Sequence, residues 1–332
     1  LGGVVDGCPA GVIIDEAAIQ AELDRRRPGQ GGIAVTARSE PDRIRLLSGV
    51  FEGRTTGTSI GFMVENTDQR SRDYGEIKDV FRPGHGDMSY TAKYGLRDYR
   101  GGGRSSGRET VSRVAGGAVA GAFLATLGVA VAAGTVELGG IAAGCVELAG
   151  AGERPFFAAD GGVVAAWEER VREVAGRGDT LGGIVEIRAT GVPAGLGEPV
   201  FDKLDARLAA ALMSVGAVKG VEIGAGFAAA RMLGSQNNDA MGAPGFSSNN
   251  AGGILAGISS GQEIVVRAAI KPIPSIAQEQ RTVDRFGAER TIRVGGRHDI
   301  CAIPRVVPVL AAMVRLTLAD MVLLQRRMGQ GG

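Results

Sequence analysis

The stretch that decides the reading of this chain is Arg82-Pro83-Gly84-His85-Gly86-Asp87, followed by Lys93-Tyr94-Gly95, Arg97-Asp98-Tyr99-Arg100 and Gly101-Gly102-Gly103-Arg104-Ser105-Ser106-Gly107-Arg108-Glu109-Thr110. Glycines let a backbone approach a ligand closely, serines supply hydroxyls, and arginines supply forked cationic donors. The pattern then turns apolar, which predicts a helix over residues 109–127 whose first N–H groups point back at the same loop. Together these features describe an anion site, phosphate foremost. The plainer alternative is a solvated loop with an ordinary helix cap.

Working outward toward the N-terminus, residues 66–107 are polar and turn-rich, too long for a plain loop, which favours a functional role. Residues 34–64 alternate as strands do, and residues 15–27 read as a helix with Ile19 and Leu23 inward, stopped at Pro28-Gly29. A strand is expected over residues 2–5. Toward the C-terminus the pattern gives a strand over 129–141, turns over 150–165, a helix over 168–175, a strand over 182–190 and a helix over 205–215. Glycine-rich loops and short strands follow over 221–294, and an apolar helix closes the chain over 306–328. With no fixed-period repeat and no linker between halves, residues 1–332 read as a single α+β domain.

Composition agrees with an enzyme. The 332 residues are 44% hydrophobic, 22% charged and 5% aromatic with net charge +1, which excludes a disordered tail protein, a histone-like polycation and a collagen. The same balance offers neither the basic face nor the stacking platform of a nucleic-acid binder. Three scattered cysteines, Cys8, Cys145 and Cys301, cannot pair fully and show no metal-type clustering, so a reducing cytoplasm is expected. The most apolar stretch, residues 114–133, is interrupted by Gly116, Gly117, Gly121 and Gly128, and no membrane span is expected. Two biases stand out: 55 glycines, and only 5 lysines among 37 basic residues. The chain opens at Leu1 inside a strand-like pattern, so a further segment is expected upstream.

Secondary candidates sit in other loops. The two histidines, His85 and His298, each lie among arginine and aspartate in glycine-flanked loops and are candidate proton donors, with Asp299 a candidate carboxylate. Arg25-Arg26-Arg27 either complements a helix dipole or, with Arg38 and Thr55-Thr56-Gly57, extends the anion site. Gly224-Ala225-Gly226-Phe227-Ala228-Ala229 matches G-x-G-x-x-A without the crossover and distant acid of a dinucleotide fold. Ser248 to Gly253 and Lys271-Pro272-Ile273-Pro274-Ser275 are loops that either contact a cofactor or merely turn the chain.

These segments resemble the chorismate synthase family along essentially the whole chain. Residues 82–95 resemble its R-P-G-H-A-D…K-Y-G, and residues 104–110 its R-S-S-A-R-E-T. Ala217-Val218-Lys219-Gly220-Val221-Glu222, residues 248–257, residues 271–275 and Gly296-Arg297-His298-Asp299 fall in the family's order. The resemblance implies a β-α-β sandwich of antiparallel sheets and helices, assembled as a homotetramer. It implies a shikimate-pathway lyase, serving aromatic amino acid biosynthesis, that converts 5-enolpyruvylshikimate 3-phosphate to chorismate and phosphate by 1,4-anti elimination. Reduced FMN is the implied cofactor. NADPH would act only indirectly, through an external flavin reductase, since nothing resembles an added reductase domain.

Carried over by position, the resemblance puts flavin contacts at Arg104, Ser105, Ser106, Gly216, Ala217, Ala256, Lys271, Pro272, Ile273, Pro274, Ser275 and Arg297. Arg26 and Arg108 would hold the anionic substrate, and His85 and Asp299 would be catalytic. No metal is implied. The sequence departs from the family in places: Gly216 replaces Asn, Ala256 replaces Gly, Ile300 replaces Pro, and residues 30–35 lack an arginine. The family's N-terminal strand and its G-E-S-H-G loop, with a second catalytic histidine, would fall before Leu1. These departures leave a second reading open, an FMN-binding homologue impaired in catalysis.

Overall fold

The structure is a computed structural model describing residues 1–27, 42–65, 78–99, 103–294 and 299–329. Strand β1 (Gly2–Val5) leads to helix α1 (Glu16–Arg26), whose start is fixed by Asp15 accepting from the Ala17 N–H at 2.9 Å. Ile19 and Leu23, one turn apart, form its buried stripe. Strands β2 (Ile44–Leu46) and β5 (Ile60–Val64) join β1 in an antiparallel sheet of order β1-β5-β2, and β3 (Val50–Phe51) with β4 (Arg54–Thr55) makes a small hairpin between them.

A helix absent from the sequence expectation follows: α2 (Asp87–Tyr94) lies within the stretch read as loop. Its eight residues, DMSYTAKY, carry no apolar stripe, and its preceding Gly86 supplies no capping side chain, so neither usual signal of a helix was present. The long apolar helix appears as α3 (Thr110–Ala125), and α4 (Val164–Gly176) begins four residues earlier than expected. After α5 (Leu204–Met213) and the short α6 (Gly234–Asn237), the chain ends on the 25-residue α7 (Ile303–Arg327). By length and hydropathy α7 could cross a membrane, but 67% of its most apolar stretch is buried in the protein, as in a core helix. Helices α3 and α7 pack most extensively; a Cβ on Gly117 would sit 2.3 Å from Ala312 Cβ, so only glycine permits this approach.

The main sheet is built from β6 (Ala130–Leu138), β7 (Ile141–Ala142), β8 (Gly183–Thr190) and β9 (Val218–Ile223), and from a strand much later in the chain. Two-residue hairpins β10 (Met241–Gly242), β11 (Gly245–Phe246), β12 (Ile254–Leu255) and β13 (Ile258–Ser259) intervene before that strand, β14 (Ile264–Ile270). The order β7-β6-β8-β14-β9 is antiparallel throughout. This corrects the reading of residues 221–294 as loops and short strands, because β14 is a seven-residue strand between two partners. A last hairpin, β15 (Glu279–Val283) and β16 (Glu289–Arg293), stands apart.

One face of β8 and β14 buries Val185, Ile187, Ala189, Ile264, Val266, Ala268 and Ile270. Helices α5 and α7 cover the main sheet, while α1 and α3 meet the smaller one, so helices lie between two sheets around one contiguous core. The expected α+β, β-α-β layering is the observed one.

Candidate active site

The segment before Arg82 is stitched to the β15–β16 hairpin: Phe81 N–H donates to Val283 O at 3.1 Å, and Thr282 Oγ1 donates to Phe81 O. Within the loop, Asp87 accepts from Arg82 N at 3.0 Å, Nε at 2.8 Å and Nη2 at 2.8 Å, and pairs with Arg97 Nη1 at 2.9 Å. Burial alone would raise the Asp87 carboxyl, but the hydrogen bonds and charges of Arg82 and Arg97 outweigh it and hold the group below the usual carboxylate range. Asp87 is thus a strut that fixes the loop's curvature.

That loop docks on residues 271–275. Lys271 Nζ donates to Gly84 O at 2.7 Å, and His85 Nε2 lies 2.8 Å from the Oγ of buried Ser275. Gly84 sits at φ +71°, and a Cβ there would fall 2.8 Å from Pro274 Cβ, so glycine is what lets the two loops meet. A Cβ on Gly86 would lie 3.8 Å from Ser105 Cβ, which brings the Arg104-Ser105-Ser106 turn alongside.

Three further segments close the arrangement. Lys271 N–H donates to the Ala217 carbonyl at 2.9 Å, placing Gly216 and Ala217 at the same end of the main sheet. Thr180 Oγ1 donates to Ile273 O at 2.6 Å, and Leu181 N–H donates to Ile300 O at 2.8 Å. Residues 180–181 therefore tie the 271–275 loop to Asp299, whose carboxylate accepts from Arg305 Nη1 at 3.1 Å. Burial, with the neighbouring charge of Lys219 added, lowers the Lys271 ammonium from its ordinary value.

The arginines of α1 divide by role. Arg25 pairs with Glu22 at 3.0 Å and Arg27 with Asp24 at 2.7 Å, both along the helix. Arg26 points inward and is 1% exposed. Its Nε donates to Thr110 Oγ1 at 2.8 Å, Nη1 to Asp42 Oδ2 at 3.1 Å and Nη2 to Gly107 O at 3.0 Å. The other oxygen of Asp42, a fully buried residue, accepts from Arg108 Nη1. One buried carboxylate thus holds both arginines at the start of α3.

The chorismate synthase family model matches residues 1–323. The chain belongs to the chorismate synthase family. It is 74% identical to a chorismate synthase of Oleidesulfovibrio alaskensis, over 99% of this chain and 92% of that protein. It is 70% identical to one of Nitratidesulfovibrio vulgaris, with the same shares covered. A crystal structure of chorismate synthase superposes with TM-score 0.75 at 31% identity, covering 97% of this chain and 87% of that one. The resemblance read from the motifs therefore holds over nearly the whole chain, and with it the family's enzyme class, a lyase of the shikimate pathway that forms chorismate from 5-enolpyruvylshikimate 3-phosphate.

Of the residues that the chorismate synthase resemblance picks out, the structure gathers His85, Ser105, Ala217, Lys271, Pro272, Ile273, Pro274, Ser275 and Asp299 around connected loops. Arg104 and Ser105 are exposed, and Ser106 Oγ accepts from Arg108 N–H at 3.3 Å. Ala256 lies elsewhere. Its neighbour Gly257 accepts from Leu204 N–H at the first turn of α5, whereas Gly216 and Ala217 follow the last, about 15 Å along the helix. Arg297, His298 and Arg38 fall outside the described residues. Sequence reading missed Asp42, Thr180 and Arg305, each of which acts through a partner far off in sequence or in a different motif. The G-x-G-x-x-A run forms the turn Gly226–Arg231 after β9.

Proposed function

We propose that this chain converts 5-enolpyruvylshikimate 3-phosphate to chorismate and phosphate in the cleft bounded by residues 82–87, 104–108, 216–219, 271–275 and Asp299. The observation that carries this reading is the junction of the 82–87 and 271–275 loops, where His85 meets Ser275 at 2.8 Å and Lys271 meets Gly84 at 2.7 Å. It places a titratable imidazole, a hydroxyl and an ammonium group on one wall. Identity of 74% to a chorismate synthase favours an active enzyme over an impaired homologue.

The residues fit reduced FMN. The Lys271 cation is partly desolvated, and a Cβ on Gly216 would meet nothing within 4 Å, which leaves room beside it for an extended anionic ligand. Arg104, Ser105, Ser106, Gly216, Ala217, Lys271, Pro272, Ile273, Pro274, Ser275 and Arg297 would hold the cofactor. When bound, it supplies an electron-rich ring beside the substrate's carbon skeleton. Ala256, at the other end of α5, would reach a flavin only from a neighbouring copy of the chain, which accords with a homotetramer.

The elimination breaks one ring C–H bond and the allylic C–O bond to phosphate; the C–H electron pair becomes the new double bond, and phosphate departs with the C–O pair. Arg108, with Arg26 behind it across Asp42, sets a positive field for a substrate bearing a phosphate and two carboxylates. Asp299, held by Arg305, assists removal of the ring proton. His85, its ring fixed by Ser275, is the proton donor. NADPH enters only by way of an external flavin reductase. The three free cysteines suit a cytoplasmic setting, and no nucleic-acid or membrane partner is invoked.

Anaerobic titration with reduced FMN tests the assignment. The protein should bind it, and Lys271→Ala should weaken binding by about tenfold or more. Failure of the unaltered protein to bind reduced FMN would overturn it.

A further inference from the structure

We infer that Lys219 and Lys271 together form a two-cation receptor for the dianionic phosphate monoester of a ligand in this cleft. The inference rests on the proposed function and specifies where a phosphate sits. It starts from strand register. Between β9 and β14, Ala269 pairs with Gly220 and the next residue, Ile270, pairs with Val218, so Lys219 is the extra residue of a β-bulge. Bulges re-aim side chains at the cost of ladder hydrogen bonds. Here the irregularity falls one residue before Lys271, whose N–H is tied to Ala217 O at 2.9 Å.

The two ammonium groups are near enough that the charge of Lys219 lowers Lys271 from its ordinary value. Like charges brought together repel, and a regular edge strand could have kept Lys219 away from its neighbour. Among the described residues, Lys203 finds Asp205 at 3.2 Å, whereas neither Lys219 nor Lys271 forms an ion pair. Lys271 is held in place by Gly84 O at 2.7 Å, and space beside the pair is open at Gly216. The missing partner is therefore an anion from outside the chain.

Its class follows from the residue type. Planar guanidinium forks suit carboxylates, while ammonium groups act as point charges on phosphate. Only 5 of the chain's 37 basic residues are lysine, yet two of the five meet here. Two single positive charges match a phosphate dianion. Both FMN and the substrate carry such a group.

The test measures, anaerobically, the Kd of reduced FMN, the Kd of reduced riboflavin and the KM for 5-enolpyruvylshikimate 3-phosphate, in the unaltered enzyme, Lys219→Gln and Lys219→Arg. Lys219 is exposed, so the variants should melt with the unaltered enzyme. Weakening of FMN by about tenfold or more in Lys219→Gln, with riboflavin unaffected and partial recovery in Lys219→Arg, supports the receptor and assigns it to the flavin. A similar rise in substrate KM with FMN affinity unchanged supports it and assigns it to the substrate. If Lys219→Gln matches an active unaltered enzyme in all three, or weakens riboflavin as much as FMN, the receptor is overturned alone. An unaltered enzyme that neither binds flavin nor turns over overturns the underlying reading as well.

Discussion

His85 Nε2 and Ser275 Oγ lie 2.8 Å apart although 190 residues separate them in sequence. The pair joins the two loops on which the proposed chemistry depends. His85→Ala should lower turnover by about 10²–10⁴-fold, the usual worth of a positioned proton donor. Ser275→Ala should cost less, since it removes only the group that orients the ring. Steady-state rates under anaerobic conditions check both; a His85→Ala variant at full rate would remove the imidazole from the mechanism.

Asp42 carries the negative charge between Arg26 and Arg108. Asp42→Asn keeps the side chain's shape and its tolerance of the left-handed φ of 42° but removes that charge from a fully buried site. Breaking a buried pair in this way costs about 3–5 kcal/mol. Urea unfolding should show the loss as a lower midpoint with little change in slope. An unchanged midpoint would mean that the Thr110 and Gly107 bonds alone hold Arg26.

The long-range partners in these two cases show where sequence reading ends. Helices α1, α3 and α7 were legible because their apolar residues recur with helical spacing, and β1, β5 and β8 because theirs alternate or run unbroken between turns. Helix α2 was not, since DMSYTAKY carries no apolar stripe. The placement of β14 between β8 and β9 was hidden too, because pairing register is a property of two distant segments. Motifs located the loops at 82–87, 104–108 and 271–275. That the first docks on the last through Gly84 and Pro274, or that Asp42 underlies Arg26 and Arg108, depends on packing that no local spacing encodes.

Asp87 gives a pH signature. Its carboxyl is depressed in the folded chain, so the stability it contributes is full above the unfolded value of about 3.9 and is lost as pH falls through the folded value. Asp87→Asn should therefore be less stable than the unaltered protein at pH 7, with the gap narrowing below about pH 4. Thermal melts across pH 2–7 measure it. A gap that stays constant to pH 2 would contradict the ion pairs with Arg82 and Arg97.

The thiols should differ in reactivity. Burial pushes the Cys301 thiol up to about 12, and burial also raises Cys8, whereas Cys145 is exposed. Alkylation at pH 8 followed by peptide mapping should label Cys145 first and leave Cys301 unlabelled until denaturant is added. Fast labelling of Cys301 in the native protein would contradict its packing beneath the first turn of α7.

The most direct test of the central claim is anaerobic turnover of 5-enolpyruvylshikimate 3-phosphate with chemically reduced FMN, following chorismate and phosphate together. The account predicts equal amounts of both, formed only when reduced FMN is present. Reduced FMN bound at the site with neither product released would contradict it.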